Sequence, residues 1–117
     1  MTDCVIVWTT LAADADAARF AETLVAERLA ACVTVQAPMD SVYRWQGSLE
    51  HDRERQIVIK TTADRVQALA TRVHELHPYE LPEFLVTPVV SGSDGYLAWV
   101  RASTAMGSSG SQAKQDR

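Results

Sequence analysis

Two spacings of apolar residues organise this chain, one near 2 and one near 3.6, and they alternate along it. CVIVW at 4–8 is an unbroken run of β-branched and aromatic residues, which predicts a buried central strand. Asp14 and Asp16 follow as possible helix N-caps, and Phe20, Ala21, Leu24, Val25 and Leu29 then recur at helical spacing. CVTVQ at 32–36 is the next predicted strand. From Ser41 to Lys60 the pattern is that of a long hairpin. Tyr43 and Trp45 alternate with Val42, Arg44 and Gln46, so both aromatics share one face, and Gly47-Ser48 supplies a turn signal. The outer part of the return strand, EHDRER at 50–55, is charged and is expected to project beyond the body of the domain. Thr61 and Asp64 have the spacing of a capping box. Val66, Leu69, Ala70, Val73 and Leu76 then form the clearest amphipathic helix in the sequence, and Pro78 stops it. FLVTPVV at 84–90 predicts a strand that Pro88 confines to a sheet edge or an end, and GYLAWVRAS at 95–103 predicts a short helix.

The predicted order is β-α-β-β-α-β followed by a helix. This is an α+β chain of the ferredoxin-like, split β-α-β type, with an antiparallel sheet, an extended hairpin and a C-terminal helix. Two helices would cover one face of the sheet. The other face would be bare and too apolar to stand in water, so an oligomer is expected. Tyr43 and Trp45 on the hairpin, and Trp99 in the last helix, are its candidate interface residues.

Composition narrows this picture. A chain of 117 residues with 47% hydrophobic content and no composition break before the tail reads as one domain over 1–103. The small, polar and glycine-bearing residues of 104–117 predict a disordered tail. Net charge is −4, and no basic stripe is present, which argues against nucleic acid as a partner. Cys4 and Cys32 are too few for a disulfide framework, and free thiols suit a reducing compartment. MTDCVIVWTT lacks the basic and long apolar regions of a signal peptide, and no apolar run approaches the ~18 residues of a membrane span. A cytoplasmic location away from membranes is expected.

Five segments also carry a resemblance. RLAACVTV (28–35), SVYRWQG (41–47), IVIKTT (57–62), HPYELPEF (77–84) and YLAWV (96–100) together resemble the CutA family of divalent-cation tolerance proteins, over roughly residues 4–103. The resemblance implies a ferredoxin-like fold and a homotrimer in which long hairpins extend each sheet into its neighbour. It also implies binding of divalent copper as the one candidate cofactor, and no enzymatic reaction. Some members carry a cysteine near the end of the first strand, where this chain has Trp8. A copper site carried over from the family therefore leans on Cys32, His77 and Glu83.

Each candidate also has a plain structural reading. Cys32 is either a soft metal ligand or a small buried hydrophobe. His77 is either a ligand or the cap of a helix C-terminus, and His74 lies three residues before it. Glu80 and Glu83 offer hard oxygens, or sit in a solvated loop. No activated nucleophile accompanies the two carboxylates, so the enzyme reading ranks last. A rival reading is a regulatory trimer that holds a small anionic metabolite in an inter-subunit cleft, with Lys60, Tyr79 and Trp45 as contacts. A scaffold that offers the charged hairpin end at 50–55 to a partner is a further possibility.

Overall fold

In the computed structural model, which describes residues 1–106, an antiparallel four-stranded sheet has the order β2-β3-β1-β4. Its elements are β1 (Cys4–Ala12), α1 (Ala17–Ala26), β2 (Cys32–Trp45), β3 (Ser48–Thr62), α2 (Val66–Leu76), β4 (Leu85–Pro88) and α3 (Asp94–Thr104). The predicted α+β architecture is present, and β4 is the short edge strand that ends at Pro88. The last helix includes Thr104, one residue into the expected tail; positions 107–117 of that tail lie outside the described residues.

Register separates the two faces of the sheet. Val7 stands opposite Ile59, and Thr9 opposite Ile57. With Val5, Leu11, Val33 and Val35 these isoleucines and Val7 form the face that packs against Phe20 and Leu24 of α1 and Leu69 and Val73 of α2. This is the main core. Asp16 caps α1, its carboxylate accepting the Arg19 N–H. The periodicity overshoots at the other end. Arg28 takes a positive φ of 59°, the Leu29 N–H bonds to the Leu24 carbonyl and the Arg28 N–H to the Val25 carbonyl, which is a Schellman closure. Leu29 therefore reaches the core from beyond the helix, and Val25 faces solvent. At α2 the expected capping box is not formed. Thr61 is buried and donates to the Leu29 carbonyl, while Thr62 donates to Asp64 at the start of a 3-10 turn over Ala63–Arg65.

The opposite face carries Cys4, Ile6, Trp8 and Thr10 of β1, aligned with Thr62, Lys60, Val58 and Gln56 of β3. It is less bare than the sequence predicts. α3 lies across one end, where Leu97 and Val100 pack with Cys4 and Ala31, and Trp99 and Tyr96 pack against that cluster. The hairpin end is left open by α3.

β2 is continuous where the sequence predicts two segments, because a bulge joins them. Val35 pairs with Ile57 but Pro38 pairs with Arg55, so two residues of β2 oppose one of β3. The extra residue reverses which positions face each way. Before it, Cys32 and Thr34 lie on the open face opposite Lys60 and Val58; after it, Met39, Ser41, Tyr43 and Trp45 do. The hairpin turns at Gln46-Gly47, one residue earlier than Gly47-Ser48. Trp45 pairs with Ser48, and both turn residues have positive φ, 49° and 83°. This is the backbone a two-residue hairpin of right-handed twist requires.

Candidate functional site

The open end of the second face forms a cavity of about 530 Å³. Its floor is the sheet, at Thr10 of β1, Glu54 and Gln56 of β3, and Met39 and Ser41 of β2. Tyr43 and Trp45 rise from the hairpin on one side. The segment between α2 and β4 supplies Tyr79, Leu81 and Glu83 on the other. With Asp52 and Glu80, four carboxylates line the space, and no Lys, Arg or His does so among the described residues.

His77 fixes the second wall in place. It ends α2 with extended backbone before Pro78, and its ring is buried, 6% exposed. Nε2 lies 2.6 Å from the carbonyl oxygen of Thr10, and Nδ1 accepts the backbone N–H of Tyr79 at 3.1 Å. The ring is therefore the tautomer with hydrogen on Nε2, donating to a strand carbonyl at a point on β1 beyond the Val5–Trp8 pairing with β4. It also contacts the Tyr79 ring at 4.6 Å between centroids. Tyr79 donates its hydroxyl to Glu54 Oε2 at 3.1 Å, and Gln56 donates to Glu83 Oε2 at 2.8 Å and to the Thr9 carbonyl at 2.8 Å. The wall and the sheet are thus stitched together by side chains.

Glu54 is the residue that the sequence disguises. It sits in the charged run expected to project into solvent, yet it is only 6% exposed. Its Oε2 accepts from both Thr10 Oγ1, at 3.2 Å, and Tyr79 OH. The sequence signal was alternation: Glu54 shares the parity of Gln56, opposite to that of the core residues Ile57 and Ile59, and the structure sets it opposite Ala12 on the open face. Burial, and then the bond to Glu54, push the Tyr79 phenol up to about 12. Tyr43 donates to Asp52, and that bond, aided by burial and the nearby carboxylates, raises its phenol to about 12 as well.

The candidate residues fall into different places. Of Cys32, His77 and Glu83, only Glu83 lines the cavity. Cys32 is on the same face but level with Lys60, four residues along β3 from Gln56, or about 13 Å. Both ring nitrogens of His77 are engaged by backbone, but by Thr10 of β1 and by Tyr79 rather than by the α2 carbonyls that the capping reading names. Among the described residues no three His, Cys, Asp or Glu side chains converge on a metal-sized point. Of Lys60, Tyr79 and Trp45, the two aromatics line the cavity, whereas Lys60 lies under α3 with its Nζ 5.8 Å from the centre of the Tyr96 ring. Tyr43 is exposed on the hairpin, and Trp99 stacks obliquely on Tyr96 at 5.4 Å.

Residues 5–103 match the family model described as CutA1 divalent ion tolerance protein. The chain belongs to the CutA1 family. It is 44% identical over 103 residues to the divalent-cation tolerance protein CutA of Pectobacterium atrosepticum, spanning 88% of this chain and 94% of that one. The crystal structure of CutA from Xylella fastidiosa superposes with a TM-score of 0.83 at 41% identity, covering 89% of this chain and all of that one. A CutA structure from Archaeoglobus fulgidus, described as a periplasmic divalent cation tolerance protein, superposes with a TM-score of 0.83 at 25% identity, covering 87% and 99%. The family and its fold, expected from five short segments, are thus established over nearly all the described chain. No helix among the described residues is long and apolar enough to cross a membrane.

Proposed function

We propose that this CutA1 member acts as a cytoplasmic homotrimer that binds divalent copper, or a related divalent ion, and carries out no reaction of its own. The observation that carries the reading is the charge of the cavity: four carboxylates and, among the described residues, no basic side chain favour a cation at this end of the sheet. Glu83 supplies a ligand oxygen there and Cys32 a soft sulfur on the same face. The three ligands that one chain does not gather are completed across a subunit boundary. His77 joins them only by giving up one of its two backbone hydrogen bonds. The trimer is supported by apolar surface at two sheet edges. Leu85 is 58% and Val86 43% exposed on β4, and Val42 57% and Leu49 63% on the hairpin. The two free cysteines suit a reducing compartment.

The rival reading, an anionic metabolite held by Lys60, Tyr79 and Trp45, has less support. Its one cation is remote from the two aromatics and already lies against Tyr96. Calorimetric titration of the metal-stripped full chain with copper, its mass checked by light scattering, tests the proposal. Binding by a trimer, weakened at least tenfold in both Cys32→Ala and Glu83→Gln, is expected. Affinity unchanged in both variants, or a monomer at micromolar concentration, refutes it.

A further inference from the structure

We infer that the cavity is a binding site for a compact organic cation, an alkylammonium or guanidinium group, seated at Glu54 between the aromatic walls. The inference does not depend on the metal reading. It begins from hydrogen-bond bookkeeping. Thr10 and Tyr79 both donate to Glu54, Tyr43 donates to Asp52, and Gln56 spends its amide hydrogens on Glu83 and the Thr9 carbonyl. Thr10, Tyr43, Tyr79 and Gln56 thus direct N–H or O–H groups into the cavity's own carboxylates, and of the lining donors Ser41 and Trp45 do not. What remains facing inward is a surplus of acceptors, which a ligand rich in N–H groups satisfies.

Glu54 sharpens the demand. It is 94% buried by its 6% exposure, and both of its donors go to Oε2. Among the described residues no side chain donates to Oε1, which stays accessible to the cavity, and no cationic side chain lines the space. A largely buried carboxylate with one oxygen left facing the cavity is well matched by a cationic N–H donor. The lining then selects the kind of cation. Tyr43, Trp45 and Tyr79 provide π-faces, and Met39 and Leu81 provide apolar surface, which suits an organic cation with a short hydrocarbon body. A volume of about 530 Å³ is in the range of small-molecule sites. A metal ion held at Glu83 would leave Glu54 and the aromatic walls unused. An anion would meet four carboxylates, and a neutral apolar ligand would leave Glu54 unpaired.

Calorimetric titration of the full chain, in the presence of a chelator, with 1,4-diaminobutane, with 4-aminobutylguanidine and with acetate tests the inference. Saturable binding of at least one of the two amine probes and none of acetate is expected. Glu54→Gln, which keeps the side chain's shape and an acceptor for Thr10 and Tyr79, is expected to weaken it at least tenfold. Cys32→Ala, which impairs the proposed metal site, is expected to leave it unchanged, so that the two readings fail separately. Should Glu54→Gln melt early, Trp45→Ala on the hairpin is the second variant, again with at least tenfold weaker binding. Absence of saturation by about 1 mM, the weak end of specific binding, overturns the inference, including the case in which an Arg or Lys of a second copy already fills the space. Binding that is equal in the unaltered chain and in a folded Glu54→Gln or Trp45→Ala overturns it as well.

Discussion

His77→Ala separates a structural histidine from a metal ligand. The buried ring joins Thr10 on β1 to Tyr79 after α2, through Nε2 at 2.6 Å and Nδ1 at 3.1 Å. Truncation leaves a carbonyl and an N–H without partners, at about 1–3 kcal/mol each. The Thr10 side of the loss sits beside the cavity, where water can enter, so the lower end applies to it. Adding the lost ring packing against Tyr79, the expected destabilisation is about 3 kcal/mol. For a domain of this size that corresponds to a fall of about 12 °C in Tm. The assay is urea unfolding followed by circular dichroism at one fixed protomer concentration, because oligomer stability depends on it. His77→Phe restores ring volume without the hydrogen bonds and should recover only a minor part of the loss. His74→Ala, on the exposed side of α2, should stay within about 0.5 kcal/mol of the unaltered chain. If His77→Ala leaves stability unchanged and instead weakens copper binding as Cys32→Ala does, the reasoning fails and the ring is a ligand.

Two further outcomes follow from the same geometry. Tyr43 and Tyr79 have phenols raised to about 12, so ultraviolet titration should show two phenols ionising well above the usual phenol value of about 10. Because the folded state holds these protons more tightly, the stability they contribute is complete below pH 10 and is lost as pH rises towards 12. Tyr79→Phe should flatten that decline, and a normal titration of all the tyrosines would contradict it. At the hairpin tip Gln46 has a φ of 49° in a turn whose second residue is Gly47. Gln46→Gly should therefore stabilise the chain by about 0.5 kcal/mol and Gly47→Ala destabilise it by about 1 kcal/mol, both read by thermal melting.

What could be read from the sequence was local. The 3.6-residue spacing of Leu69 and Val73 located α2, Asp16 marked the start of α1, and Pro78 and Pro88 marked two ends. The β-α-β-β-α-β order then limited the topology, since a strand-helix-strand unit split by a third strand has few ways to close its sheet. Five segments carried the family. The cavity was not legible in the same way, for three physical reasons. The bulge at 36–37 reverses the side-chain parity of β2, and only cross-strand pairing reveals it; this reversal brings Tyr43 and Trp45 to the same face as Cys32. Glu54 belongs to a charged run that reads as solvated, and its burial arises from Tyr79, 25 residues away in sequence. The sequence offers His77 as a helix cap or a ligand, and its ring bonds instead to a strand carbonyl 67 residues away. Periodicity and capping chemistry depend on neighbours within a turn or two, so the sequence by itself determines them. Which carboxylate is buried, which ring is locked and which face a hairpin presents depend on contacts between distant segments, and only the tertiary structure decides them.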